Sequence, residues 1–192
     1  PEIIRGIGWS AAPAFPLQAK HFLEKLVGRE AATAEDQMLL ATLYLALDQP
    51  AESAAVYQSL VKTQPSNPDV WRSWGVACHQ KGELSEAMKA YGRVLAYAPN
   101  DLQATVGVAQ LLMRSGTEKD QKKATQLLLR QLDRTVSSKL PGANDIADLL
   151  VKMSITDAEP RAKLAALLRR MDDPSPANGI AGIFLSYSPE PS

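Results

Sequence analysis

The stretch WRSWGVACHQKGELSEAMKAYGRVLAYAP, Trp71 to Pro99, decides the fold, because a second stretch repeats it. QMLLATLYLALDQPAESAAVYQSLVKTQP, Gln37 to Pro65, superimposes on it at an offset of 34 residues. Leu40, Ala41, Tyr44, Tyr57, Leu60, Val61 and Pro65 return as Trp74, Gly75, Cys78, Tyr91, Val94, Leu95 and Pro99. Bulky residues fall on bulky, small on small, and proline on proline. A unit of this size is about two short helices and two turns. It is too small to bury its own apolar face, so it must stack on a neighbour.

Weaker copies extend the series in both directions. Stepping back one period from Tyr57, Leu60 and Val61 gives Leu23, Leu26 and Val27, with Ala19 at the place of Ser53; Pro16 to Gly28 therefore reads as a second helix without its first partner. Stepping forward from Gly75, Cys78 and Gly82 gives Ala109, Leu112 and Gly116. Beyond that the offset becomes 37, since Ala87, Tyr91 and Leu95 map to Ala124, Leu128 and Leu132. Three extra residues are thus expected in the turn Ser115-Gly116-Thr117-Glu118-Lys119-Asp120, where packed faces are undisturbed.

Local signals agree with the period. Asn67, Pro68 and Asp69 spell an N-cap, a first-turn proline and an acid near a helix start, and Thr33 with Asp36 has capping-box spacing. Gly82 and Gly116 suit turns between paired helices, and Pro65 and Pro99 end second helices. No segment sustains apolar/polar alternation, so the expectation is all-α, a stack of helix-turn-helix repeats.

Trp71, Trp74, Gly75, Cys78, Gly82, Ala87, Tyr91, Leu95 and Pro99 resemble the tetratricopeptide (TPR) repeat, with its W-x-x-L-G-x-x-Y and later G, A, F and P. Trp74 stands for Leu, Cys78 for Tyr, Tyr91 for Phe and Val94 for Ala, all apolar replacements that keep the helix-pair geometry. The resemblance implies a right-handed α-solenoid with units near 16–31, 34–67, 68–101 and 102–139 within a domain over 16–171. A degenerate helix pair over 144–171 would cap it. Asn144 and Asp145 would begin one helix, with Ile146, Leu149, Leu150 and Met153 on one face. Pro160 would sit in the first turn of the next, and Arg161, Lys163, Arg169 and Arg170 would give the polar outer face that a terminal unit requires. Residues 1–15 read as irregular and 172–192 as a Pro/Gly-rich tail.

Of the 192 residues, 45% are hydrophobic and only 6% aromatic, which suits helices packed through Ala and Leu. With 21 basic against 21 acidic side chains there is no overall field to draw in nucleic acid, and none is expected as a partner. Lys119, Lys122 and Lys123 read as a solvated loop. A single cysteine excludes an internal disulfide, and Cys78 is expected in the repeat core. No run is long and apolar enough to span a bilayer. The compartment stays open: cytoplasmic or periplasmic, or the soluble part of a longer anchored protein, since the chain begins at Pro1 and lacks the first helix of its leading unit.

Catalytic signals are thin. Cys78 and His79 are adjacent, and neighbours on a helix diverge by about 100°, so they are poorly set to share a metal or act as nucleophile and base. Gly6-Ile7-Gly8 lacks the strand and helix of a phosphate loop. The expectation is a non-enzymatic chain without cofactor or metal.

In the TPR family the first helix of each pair lines a groove. If Leu40, Ala41 and Tyr44 pack between helices, the interleaved face is Glu35, Met38, Thr42 and Leu45. Its equivalents are Asp69, Arg72, Val76 and His79, then Gln103, Val106, Gln110 and Met113. TPR modules that hold acidic chaperone C-termini carry Lys and Asn where this chain has Met38 and Thr42, so that clamp is absent. Met38, Leu45, Val76, Val106 and Met113 instead form an apolar stripe edged by Arg72, His79, Gln103, Gln110 and Arg114, suited to an amphipathic helix or extended peptide. The rival expectations are a spacer or assembly platform in a larger, membrane-associated complex, and a chaperone-like factor for secreted or maturing proteins. Two apolar runs, Ile180 to Leu185 and Ile3, Ile4, Ile7 and Trp9, need cover; the first would dock on the last helices or self-associate through a groove.

Overall fold

The computed structural model describes residues 15–28, 32–153, 155 and 157–171. Among these it has nine helices and no strand. They are α1 Pro16–Gly28, α2 Ala34–Ala46, α3 Pro50–Thr63, α4 Pro68–Lys81, α5 Leu84–Tyr97, α6 Leu102–Ser115, α7 Glu118–Ser137, α8 Ala143–Lys152 and α9 Ala158–Leu168. The chain divides into two compact units between Pro99 and Asn100. The apolar runs at Ile3 to Trp9 and Ile180 to Leu185 lie outside the described residues.

In the first unit each helix packs on the next, α1 on α2 through to α4 on α5, and α2 also reaches α4, the first helix of the following hairpin. The caps are those the sequence specifies. Thr33 Oγ1 accepts from the Asp36 N–H at 3.2 Å while Asp36 Oδ2 accepts from the Thr33 N–H at 2.8 Å, and Asn67 Oδ1 accepts from the Asp69 N–H at 3.0 Å. The turns inside the two hairpins are copies of one another: the Gln49 N–H donates to Tyr44 O at 2.7 Å and the Glu83 N–H to Cys78 O at 2.8 Å. That turn needs one left-handed residue, supplied by Gly82 at φ 88° and by Asp48 at φ 57°.

The core follows the period. Leu40, Ala41, Tyr57, Leu60, Trp74, Ala77, Cys78, Ala87, Tyr91 and Val94 are all buried. Each fully buried large side chain contributes about 1.5–3 kcal/mol from water exclusion. Gly75 lets α4 and α5 approach, since a Cβ there would lie 2.7 Å from Tyr91 Cε1. The lone α1 is fixed by Ala19 and Leu23, buried against Leu40 and Leu43, and by two polar ties. Tyr44 Oη donates to Glu24 Oε1 at 2.9 Å, and Lys20 Nζ donates to Gln49 Oε1 at 3.1 Å.

In the second unit α6 packs on α7, α7 on α8 and α9, and α8 on α9, around Leu128, Leu132, Ile146, Leu150, Leu164 and Leu168. Two expectations fail here. The extra residues are not in the 115–120 turn: α7 starts at Glu118, one 34-residue period after Leu84 opens α5, and runs for 20 residues against 14. Thr117 caps it, accepting from the Asp120 N–H at 3.1 Å, and the following Glu, Lys and Gln residues are good helix formers, so the helix takes up the added length. Lys119, Lys122 and Lys123 therefore lie on the first turns of a helix, with Lys122 paired to Glu118 at 2.7 Å and Lys123 to Asp120 at 3.6 Å. The second failure is the start of α8. Gly142, left-handed at φ 93°, is the N-cap and makes no side-chain cap bond, while Asn144 lies inside the helix.

Of the four cations expected on the outer face of the cap, Lys163, Arg169 and Arg170 are exposed. Arg161 turns back to donate to Ile155 O at 3.1 and 3.3 Å. Arg170 donates to Asp133 Oδ1 at 3.3 Å and Ser137 Oγ at 3.0 Å, tying α9 to α7.

Candidate partner-binding faces

The residues singled out on α2 and α4 lie on two helices that touch within the first unit. Met38, Leu45 and Val76 are half-buried, between the buried Leu40, Ala41, Trp74 and Gly75 and the exposed Thr42 and Asp69. This intermediate burial is what helical spacing predicts for apolar side chains beside a packed seam rather than in it. Arg72 pairs with Asp69 one turn earlier on α4, and His79 is half-buried on the same helix.

Thr42 is not an idle groove position. Its Oγ1 donates to Met38 O at 2.9 Å and lies 3.2 Å from Tyr57 Oη, which itself donates to Met38 O at 3.3 Å. Tyr57 is buried from α3, and this small network satisfies its hydroxyl. A carboxylate would compete with that network for the Thr42 proton, and Met38 offers it no donor. The face is apolar at Met38, Leu45 and Val76, with charge at Glu35 and at the Asp69–Arg72 pair.

On α6 of the second unit, Val106 and Gln110 line a cleft of about 250 Å³ whose far wall is Asp145, Asp148, Leu149 and Lys152 of α8. Gln110 is exposed. Val106 and Met113, by contrast, are half-buried and pack against the core of this unit, so part of the apolar stripe expected here is engaged in the fold. Asp145 and Asp148 carry the chemistry that sequence reading missed. Carboxylates on a helix surface look like ordinary solubility residues until the opposing helix is in place.

A second feature also escaped the sequence. Trp71, Trp74, Lys89, Gly92 and Arg93 line a notch of about 420 Å³ between α4 and α5. The replacement of leucine by Trp74 in the repeat pattern was the available signal.

The Cys78–His79 pair gains nothing from the fold. Cys78 is buried and its thiol is pushed up to about 11, chiefly by burial and then by the charges of Glu83 and Glu86, so it stays protonated near neutrality. Among the described residues no three His, Cys, Asp or Glu side chains gather as a metal site, and no helix is long and apolar enough to cross a membrane.

Residues 38–101 match the family model of the tetratricopeptide repeat. Among solved structures, the chain superimposes on MamA (residues 41 to the end) from Desulfovibrio magneticus RS-1 with TM-score 0.70, at 18% identity over 90% of this chain and 97% of that one. A second crystal structure of MamA gives 0.63 at 18% identity, covering 71% and 80%. A putative kinesin light chain from Podosopora anserina with nearly identical TPR-like repeats gives 0.51 at 18% identity, covering 96% and 89%. At this identity the likenesses speak for the fold. By sequence, no curated protein matches the chain. The 34-residue period, the paired hairpin turns and the model match together identify residues 38–101 as tetratricopeptide repeats.

Proposed function

We propose that the chain is a non-enzymatic interaction module that holds a peptide or amphipathic helix of a partner protein on the first helices of its hairpins. Tetratricopeptide repeats support a protein–protein interaction or scaffolding role in general. The finer reading rests on one observation. Met38, Leu45 and Val76 are apolar and left half in water on α2 and α4, two helices in contact, beside the buried Leu40, Ala41, Trp74 and Gly75. Apolar area held ready in this way gains about 25 cal/mol per Å² when a partner covers it. The methionine adapts its shape to the occupant. Asp69 and Arg72 at the edge would set polarity and register, as would Gln110 beside the Asp145 and Asp148 carboxylates on the second unit. His79 adds a titratable group on α4.

The test is capture of a partner from native extract by wild-type protein and by Val76→Glu and Gln110→Trp. The second variant fills the α6–α8 cleft from an exposed position. The expected outcome is at least about tenfold weaker capture for each, with the helical circular-dichroism signal unchanged. Met113→Glu is a poorer probe, because Met113 packs on the core of its unit. Undiminished capture by both variants would overturn the assignment.

A further inference from the structure

We propose that the notch between α4 and α5 is a separate docking site for an extended, proline-containing segment that carries a carboxylate. Its floor is the half-buried indole of Trp71, backed by the buried indole of Trp74, with ring centroids 5.4 Å apart and planes tilted by 58°. Trp71 is held in place by its own N–H, which donates to Pro65 O at 2.7 Å, so ring carbon rather than its polar edge is presented to a ligand. The wall on α5 is missing at Gly92, where an added Cβ would meet nothing within 4 Å. Proline suits such a surface: its ring is flat and apolar, and its backbone is already extended, so little conformational freedom is lost on docking.

The carboxylate follows from charge. The Arg93 guanidinium lies over the Trp71 ring, 5.8 Å from its centre, and forms no ion pair with a carboxylate among the described residues. Stacked on an indole, it keeps its N–H fork available for bidentate pairing with an acid. Lys89, at the same rim, is joined to Glu86 at 2.6 Å and adds a second positive charge. A volume of about 420 Å³ accommodates a few residues of extended chain. The site uses none of the residues of the α2–α4 face.

Gly92 makes the proposal testable without disturbing the fold, since a larger side chain there enters open space and improves helix propensity. The probe is the synthetic peptide acetyl-Ala-Pro-Glu-Pro-Ala-amide, titrated into the full chain while tryptophan emission is followed. Wild type should show a saturable change. Gly92→Phe should abolish it. Arg93→Gln, or a peptide with Gln for Glu, should weaken binding about tenfold, as expected for loss of a charge-assisted hydrogen bond. Val76→Glu should leave it intact, which separates failure here from failure of the reading of the α2–α4 face. The proposal is overturned by the absence of a saturable response, by equal responses from wild type and Gly92→Phe, or by equal binding of the Glu and Gln peptides.

Discussion

Two glycines one helix apart should respond to the same substitution with opposite signs. Gly75 in α4 and Gly92 in α5 are both inside helices, so replacing either by alanine gains about 1 kcal/mol of helix propensity. At Gly92 the new methyl meets nothing within 4 Å, and that gain should appear whole. At Gly75 it would lie 2.7, 2.8 and 3.1 Å from three atoms of the Tyr91 ring. Tyr91 is itself 3% exposed, so its ring has nowhere to swing and the helices must part. Such overpacking costs about 1–3 kcal/mol, leaving Gly75→Ala between neutral and about 2 kcal/mol less stable. The two variants should therefore differ by about 1–3 kcal/mol, several degrees in Tm for a unit of this size. Urea unfolding followed by circular dichroism at 222 nm measures both. If Gly75→Ala is stabilised as much as Gly92→Ala, α4 and α5 are not in the close contact described.

Three further perturbations address the same unit. Ser53 is the counterpart of Ala19 and Ala87 at the 34-residue period, and its buried Oγ has no hydrogen-bond partner; Ser53→Ala should raise the urea midpoint by the equivalent of up to about 1 kcal/mol. Cys78, buried and with its thiol pushed up to about 11, should resist Ellman's reagent at pH 8 until urea unfolds the chain, and prompt labelling of the native protein would contradict its placement. Burial pushes the phenols of Tyr44 and Tyr91 from 10 up to about 12, and Glu24 adds to the effect at Tyr44. The folded state thus holds these protons more tightly than the unfolded one. The resulting stability is complete below about pH 10 and is lost as pH climbs toward 12. Cys78 starts the decline near pH 9. The urea midpoint should be level up to about pH 9 and fall above it, with two tyrosines ionising late in the absorbance titration at 295 nm.

What could be read from the sequence was whatever depends on residues near one another along the chain. The Thr33–Asp36 box, the Asn67 cap and the paired turns at Asp48 and Gly82 are local hydrogen-bond patterns, and the 34-residue repeat of Leu40 and Trp74 or Tyr57 and Tyr91 needs only counting. Counting misled at α7. Ala124, Leu128 and Leu132 are core residues 37 positions after their counterparts, yet Thr117 starts the helix in the old register and the added length is helical. The division after Pro99 was invisible for a related reason: the period runs through that proline unbroken. Contacts across helices were out of reach. Helical spacing put Val106 and Met113 on one face of α6 but could not reveal that α8 brings Asp145, Asp148 and Leu149 against it, nor that Gly92, Trp71 and Trp74 line one notch.

The central claim is that partner protein lies along the first helices of the hairpins. Photo-crosslinking tests it most directly, with benzoylphenylalanine placed singly at Val76 and Gln110 and, as controls, at the exposed Gln58 on α3 and Gln126 on α7. Crosslinks to partner protein from Val76 and from Gln110, with none from Gln58 or Gln126, are the predicted result. Crosslinks confined to Gln58 and Gln126 would contradict it.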